Sequence, residues 1–364
     1  MTSDLTSLIV RHHAFWNLED VDRPLLDVGK YSPMGRLDVP ARRDINLPEK
    51  GWLQPGMLDP QCFAEQACQD LKGLGSVSGD LFRVLAPYYA VPWIEAMCGC
   101  PVWYSLSRGS MSAEHLPGGW EEAKTLRIHR DNPWLQALID FHTTLIELAD
   151  GRYPVAVPRP MRGPIDLLAS VVGTEAASFG FIDRPQEAHD LLKRFTDIWI
   201  QVVGEQIPRL PRFMDGWSTS YGIWTPSTNA VTQCDLAIMI SAQMYAEFLT
   251  PCDEAICASL ETPIIHIHTG CIHVLEPILT VNSFAAIEVT IDPNGPDVQQ
   301  LIPKFQKVQR AGMPLIVHAH GSLTQPELDV LLQALSPRGL CVFALLRPIA
   351  ESFWKFNLHP GDAN

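Results

Sequence analysis

No run of apolar residues in this 364-residue sequence reaches the roughly 18 that a membrane-spanning helix needs. Positive charge is scarce, since 27 Lys and Arg residues stand against 41 Asp and Glu residues and give a formal net charge of −14. An acidic surface of this kind repels nucleic acid and anionic membranes, so we expect neither as a partner. The first twenty residues contain an early acidic residue and no apolar core segment. We therefore expect no secretory signal and a cytoplasmic location.

The motifs of several common enzyme classes are missing. The sequence contains no G-x-G-x-x-G fingerprint, no P-loop and no G-x-S-x-G elbow. Dinucleotide binding, P-loop nucleotide hydrolysis and serine hydrolysis therefore have no support in the sequence. The nine cysteines are odd in number and scattered, which indicates reduced thiols and not a disulfide framework.

The last hundred residues alternate between strand-like and helical patterns. The strand-like runs are "PIIHIHT", "AAIEVTID", "PLIVHAH" and "LCVFALL", and a helical pattern follows each of them. Four β-then-α units in series predict a parallel sheet with helices outside. Hydrophobic residues make up 46% of the chain, which is enough for a large core. We predict an α/β fold with a single (β/α)8 TIM barrel over residues 1–364, on which residues 1–80 pack as an N-terminal extension of loops and helices.

Helical spacing also occurs upstream of these units. Helices are predicted near 133–150 and over 185–207, where Pro185 is placed to begin the helix. Ser241 is placed to cap one helix that runs through "AQMYAEFLTPCDEAICASL".

The pattern His-x-His occurs twice, each time at the end of an apolar run. Residues two apart share one face of a strand, so His266 and His268 share a face, as do His318 and His320. In a parallel barrel, inward-facing groups converge at the C-terminal mouth, where active sites lie. Imidazole with carboxylate suits zinc or another divalent transition metal, and a metal offsets the cost of burying these groups. We predict metal ligands among these four histidines, with His266 and His268 foremost and one of His318 or His320 as the third. The alternatives are hydrogen bonds among the histidines or to water, and an orientation towards the outer helices.

Two acidic residues are candidates for proton transfer. Glu288 shares a strand face with Thr290 and Asp292, between the two histidine pairs. It is a candidate metal ligand, an acceptor of a hydrogen bond from a histidine ligand, or a general base. Asp235, which precedes "LAIMI", either lines the site or turns the chain before a helix.

Four further residues are candidates for substrate binding. Tyr221, Trp224 and Trp217 belong to one aromatic loop, which either walls a pocket or joins the core. Arg108, in "SLSRGSMS", either binds a carboxylate or forms a surface ion pair.

Four segments in order resemble the uroporphyrinogen decarboxylase superfamily, which includes zinc-dependent, corrinoid-linked methyltransferases. They are "AFWNLEDVDRPLL", "APYYAVPWIEAMCGCPVWY", "TQCDLAIMISAQMYAEFLTPCDEAI" and "PIIHIHTGCIHVLEPIL". The resemblance spans most of the chain and implies one (β/α)8 barrel with its site at the C-terminal mouth. The last segment matches the place where the methyltransferases carry His-x-Cys. His266 thus falls on a ligand histidine, and His268 stands where those enzymes have a cysteine.

The resemblance implies a metal-dependent methyltransferase that works with a separate corrinoid protein. A His-x-His site makes zinc a stronger Lewis acid than thiolate ligands do. The N-terminal arginine motif of the porphyrinogen decarboxylases has no match here. The alternatives are a metal-free decarboxylase or lyase acting on a small or tetrapyrrole carboxylate, and a non-catalytic ligand-binding barrel. The expected partners are a small-molecule substrate and the corrinoid protein, and the sequence leaves open whether the outer helices form the face of a homodimer.

Overall fold

The structure is a computed structural model that describes residues 2–29, 48–72, 75–88, 90–105, 110–158, 161–281 and 283–347. These residues form fourteen strands and thirteen α-helices. The strands are β1 Leu25–Val28, β2 Lys50–Leu53, β3 Val77–Ser78, β4 Leu81–Phe82, β5 Val102–Ser105, β6 Ser110–Ala113, β7 Met161–Arg162, β8 Trp217–Ser218, β9 Trp224–Thr225, β10 Asn229–Gln233, β11 Thr262–His268, β12 Ala286–Ile291, β13 Leu315–His320 and β14 Leu340–Leu345. The helices are α1 Thr2–Trp16, α2 Pro60–Lys72, α3 Trp93–Met97, α4 Gly119–Ala123, α5 Pro133–Ala149, α6 Pro164–Val172, α7 Thr174–Asp183, α8 Pro185–Gln206, α9 Ala242–Phe248, α10 Thr250–Ala258, α11 Leu275–Thr280, α12 Val298–Arg310 and α13 Gln325–Ala334.

A seven-stranded parallel sheet forms the centre of the protein. Its strand order is β1-β14-β13-β12-β11-β10-β7, and every neighbouring pair in it is parallel. Strands β11 to β14 are the four apolar runs of the alternating C-terminal region. Helices α11, α12 and α13 connect them, as parallel pairing requires. The predicted α/β class is therefore confirmed.

The predicted helices are present, with one difference. Helices α5 and α8 cover the two segments predicted upstream, and Pro185 is the first residue of α8. The single helix predicted after Ser241 is two helices, α9 and α10, which meet at Leu249. Pro251 lies at the start of α10, and proline is tolerated in the first turn of a helix but not in its interior. Ser241 does cap α9, because its Oγ accepts a hydrogen bond from the Met244 N–H at 3.1 Å.

The two faces of the sheet bury different sets of residues. Ile265, Ile287 and Val317 face the helices and belong to the large outer core. Ile264, Ala286 and Ile316 face the other way, into a smaller inner core that includes Leu25, Leu81, Tyr221 and Phe343. His266, Glu288 and His318 come two residues after the members of the inner set, so their side chains lie on the inner face.

Further segments lie beside both edge strands of the sheet. The Asp80 N–H donates a hydrogen bond to the Leu26 carbonyl oxygen in β1 at 2.8 Å. Leu85 forms an isolated parallel bridge with Val155, which precedes β7 in the chain. Residues 80–85 thus contact β1 at one end and the approach to β7 at the other.

Helix α1 is fastened to the inner core by a buried histidine. The Trp224 N–H donates to Nδ1 of His12 at 2.8 Å, and Nε2 of His12 lies 2.6 Å from the Asp80 carbonyl oxygen. Both contacts are satisfied by the neutral ring with its proton on Nε2. Burial lowers the pKa of His12 to about 4.

The low pKa of His12 predicts an acid-sensitive stability. Below pH 6.5 the His12 ring binds a proton in the unfolded chain but stays neutral in the folded chain. The free energy of unfolding that is present above pH 6.5 therefore decreases between about pH 6.5 and 4. At pH 5 the loss is about 2 kcal/mol. In His12→Asn, thermal unfolding followed by circular dichroism should show a smaller fall in Tm between pH 7.5 and 5. The exposed control His129→Asn should follow the wild type, and a parallel fall in His12→Asn would contradict the assignment.

No single helix in the described ranges is long and apolar enough to cross a membrane. Helices α6 and α7 reach that length and apolarity only as a pair, and they are bent by 110°.

Candidate metal centre

Two histidines and one aspartate converge at the C-terminal end of β11. His266 and His268 share a face of that strand, and their ring centroids are 4.9 Å apart. Asp235 begins the 3-10 helix Asp235–Met239, which follows the neighbouring strand β10. Its Oδ1 lies 3.9 Å from Nε2 of His266 and 3.9 Å from Nε2 of His268. One ligand atom from each residue lies within 4.8 Å of the others, a spacing that one metal ion can bridge.

Glu288 is hydrogen bonded to Nδ1 of His266, the ring nitrogen that does not face Asp235. Its Oε2 accepts a hydrogen bond from Nδ1 of His266 and another from the Tyr221 hydroxyl at 3.1 Å. Its Oε1 accepts a hydrogen bond from the Thr290 hydroxyl at 2.8 Å. The carboxylate is fully buried, so these donors replace the water that burial removes.

Asp292 holds His268 in the same way. Nδ1 of His268 lies 2.6 Å from Oδ1 of Asp292. The other oxygen, Oδ2, accepts hydrogen bonds from the Thr269 hydroxyl at 2.9 Å and the Gly270 N–H at 3.1 Å. The hydrogen bond to Asp292, reinforced by the nearby carboxylates, raises the pKa of His268.

These contacts leave Nε2 of both rings directed at Asp235. A ring that donates its Nδ1 proton to a carboxylate carries its lone pair on Nε2, which is how metal-binding histidines are usually held. Oδ1 of Asp235 is buried and accepts no hydrogen bond from the described residues. Two imidazole nitrogens and a carboxylate oxygen are a donor set that zinc accepts, and a fourth position stays open. The residues present therefore fit a divalent metal.

Asp166, in the first turn of α6, fixes the position of Asp235. It accepts hydrogen bonds from the backbone N–H groups of Asp235 at 3.1 Å and Leu236 at 2.8 Å. Gln233 donates its amide to Oδ2 of Asp166 and also to Oδ2 of Asp235. Burial, together with the charge of Asp235, raises the pKa of Asp166 to about 6. The sequence signal for Asp166 is a lone charge in an otherwise apolar helix.

The two histidines of the second pair, His318 and His320, lie in different environments. Nδ1 of His318 lies 3.1 Å from the Thr290 hydroxyl and 3.6 Å from Oε1 of Glu288, and its ring stacks on Phe343. His320 is exposed at the end of β13. Neither belongs to the ligand group found in the described residues, in which Asp235 takes the place expected for a third histidine.

The candidate substrate-binding residues lie in different places. Tyr221 is buried beneath the centre and hydrogen bonded to Glu288. Trp224 is buried near α1, where its Nε1 donates a hydrogen bond to the Phe213 carbonyl and its side chain belongs to a small cluster with Leu8 and Phe82. Trp217 is half-buried, and the Arg212 guanidinium lies 5.0 Å above its ring. Arg108 lies outside the described residues.

A cavity of about 420 Å³ adjoins the centre and shares Asp235 with it. Arg162 and His115 also line this cavity. The sequence around Arg162 gives no reason to favour it as a site residue, because only the pairing of β7 with β10 brings it near Asp235.

Compared with protein-family models and with curated proteins, the sequence matches none of them.

Proposed function

We propose that this chain is a metal-dependent enzyme in which Asp235, His266 and His268 hold zinc or another divalent transition metal. The observation that carries the proposal is that Nε2 of each histidine lies 3.9 Å from Oδ1 of Asp235. Glu288 and Asp292 occupy the Nδ1 side of the two rings, which prepares them as ligands. A bound metal supplies Lewis-acid chemistry by lowering the pKa of an acceptor group in its open position.

We infer methyl transfer as the reaction, on the resemblance to the corrinoid-linked methyltransferases of the uroporphyrinogen decarboxylase superfamily. A methylated corrinoid protein would supply the methyl group and keep the cobalt–carbon electron pair, and the acceptor held beside Asp235, His266 and His268 would receive the methyl group through its lone pair. The acceptor loses its proton. That proton leaves to solvent, because Asp235 is a metal ligand and Glu288 is fully buried and already accepts three hydrogen bonds.

We also infer that the sheet closes into a (β/α)8 barrel. Counting residues 80–85 as one further strand beside the seven of the sheet gives eight strands in a ring, in which Val155 contacts Leu85 shortly before β7. The hydrogen bond from Asp80 to Leu26 and the bridge from Leu85 to Val155 support this closure. A single inner core that joins Leu25 and Leu81 to the central strands supports it as well. The candidate metal centre then lies at the C-terminal mouth of the barrel, the usual place for active sites in this fold.

Methylcobalamin as a free methyl donor provides a test of the proposed reaction. Zinc-loaded protein is incubated with it and with small hydroxyl, amine and thiol acceptors, while loss of the methyl–cobalt absorbance and the methylated product are measured. We expect transfer that a chelator stops and that Asp235→Asn abolishes, whereas the exposed control Asp131→Asn retains it. A zinc-loaded protein that methylates none of the acceptors would contradict methyl transfer and leave the metal centre intact.

A metal-free decarboxylase or lyase is the second candidate. The pairs of His266 with Glu288 and His268 with Asp292 favour it, because histidine–carboxylate pairs also act as general acids and bases without a metal. Release of carbon dioxide from small or tetrapyrrole carboxylates that persists in chelator would support this candidate over methyl transfer.

A further inference from the structure

The cavity beside the candidate metal centre carries a cation on its wall. Arg162, in β7, is aligned with Gln233, and Gln233 is aligned with His266, so all three lie along one row of the inner face. About 40% of the Arg162 side chain is exposed, and the residue lines the same cavity as Asp235. A molecule in this cavity can therefore touch the guanidinium and the metal centre together.

A buried acid holds the guanidinium in place from one side. Nε of Arg162 lies 3.0 Å from Oε1 of Glu95, whose side chain is 1% exposed. Oε1 of Glu95 has no hydrogen-bond partner among the described residues, so this contact is an ion pair and leaves the N–H donors of Arg162 unused. In the described residues Arg162 makes no other hydrogen bond or ion pair, so its terminal nitrogens remain available to a ligand.

The acidic groups nearby are already engaged. Asp166 also lines this cavity, and both of its oxygens already accept hydrogen bonds from backbone or amide N–H groups. Asp235 faces the two histidines, and a bound divalent metal compensates its charge. Once the metal centre is filled, Arg162 is the permanent cation among the described residues that line this cavity, and it attracts an anion.

We propose that the cavity binds the carboxylate of a small acidic acceptor. The planar fork of Arg162 matches a carboxylate with two parallel hydrogen bonds. The nucleophilic heteroatom of the same molecule reaches the metal beside Asp235. A cavity of about 420 Å³ accommodates a small organic acid. This inference rests on the proposed metal-dependent function and names the substrate class for it.

Two thiols that differ only in charge test the proposal. 3-Mercaptopropionate and 3-mercaptopropanamide share a zinc-binding thiol, but only the first carries a carboxylate. Each is titrated by calorimetry into the full-length zinc-loaded protein under reducing conditions. We expect the acid to bind about tenfold more tightly than the amide, and this preference to fall to about twofold or less in Arg162→Gln. Arg162→Lys, which keeps the charge without the fork, should retain part of it, and the exposed control Arg127→Gln should retain all of it.

The removal of Arg162 leaves Glu95 buried without its cation, which can destabilise the fold. A second variant therefore separates a loss of the carboxylate contact from a loss of the fold. The double variant Glu95→Gln with Arg162→Gln removes both charges and should show the same lost preference, with its zinc content unchanged. Equal binding of acid and amide to the wild type would overturn the proposal, as would a preference that survives in a folded, zinc-loaded Arg162→Gln variant. Failure of the wild type to bind zinc would instead contradict the metal centre, which the zinc titration reveals before either thiol is added.

Discussion

Replacing Asp235 or His268 by alanine is expected to abolish stoichiometric zinc binding. Each residue supplies one of three ligand atoms that lie within 4.8 Å of one another, and two remaining ligands hold zinc poorly. The loss in zinc affinity should exceed the roughly 10–100-fold loss that follows removal of a residue hydrogen bonded to a metal ligand. Metal-dependent turnover should fall with it. Zinc bound per chain after equilibrium dialysis, measured by elemental analysis, gives the result directly.

The choice of variants separates loss of the metal from loss of the fold. Asp235 and His268 are partly exposed, so their removal does not leave a fully buried charge without a partner. Removal of His266 would leave Glu288 as a fully buried charge without this partner. A loss of zinc in that variant could then reflect a loss of the fold, so the variant is less informative. His320→Ala is the matched control, because His320 is exposed and outside the ligand group. A His320→Ala variant that loses zinc while Asp235→Ala retains it would contradict the assignment.

Glu288→Gln is expected to weaken zinc binding by roughly 10–100-fold without removing a ligand. Glu288 accepts a hydrogen bond from the Nδ1–H of His266, and that hydrogen bond keeps the lone pair of the ring on Nε2, facing Asp235. The amide has the same shape but no charge, and it brings its own N–H donors towards the Tyr221 and Thr290 hydroxyls. The ring is then held less firmly and is less basic. Competition with a coloured zinc chelator measures the change in affinity.

Asp292→Asn provides the comparison for Glu288→Gln. It weakens the support of His268 by the same logic, but Asp292 is partly exposed and its loss should disturb the fold less. Glu288→Gln should therefore lower both zinc affinity and Tm, whereas Asp292→Asn should lower mainly zinc affinity. Unchanged zinc affinity in both variants would show that the carboxylates do not act through the imidazoles.

The strand pattern in the sequence predicted the pairing of His266 with His268. Period-two alternation at the end of an apolar run placed both rings on one face, and the structure has them 4.9 Å apart. The same reasoning put Glu288 on the neighbouring strand, where it now contacts His266. Such patterns report which face a residue occupies, so they serve well inside regular strands.

The remaining members of the site depend on tertiary contacts that no local pattern reveals. Asp235 was expected to handle a proton, and its place beside both histidines depends on a 3-10 turn held by Asp166, which is 69 residues away in the chain. Arg162 reaches the cavity because β7 pairs with β10. Trp224 contacts α1 through a hydrogen bond from its backbone N–H to His12, which is 212 residues away in the chain.

X-ray absorption spectroscopy of the zinc-loaded protein tests the central claim most directly. We predict about one zinc per chain with only nitrogen and oxygen ligands at roughly 2.0–2.2 Å, including the outer-shell scattering of two imidazoles. Asp235→Ala should remove the zinc. A sulfur ligand at roughly 2.3 Å, or a protein that binds no zinc, would contradict a centre built from Asp235, His266 and His268.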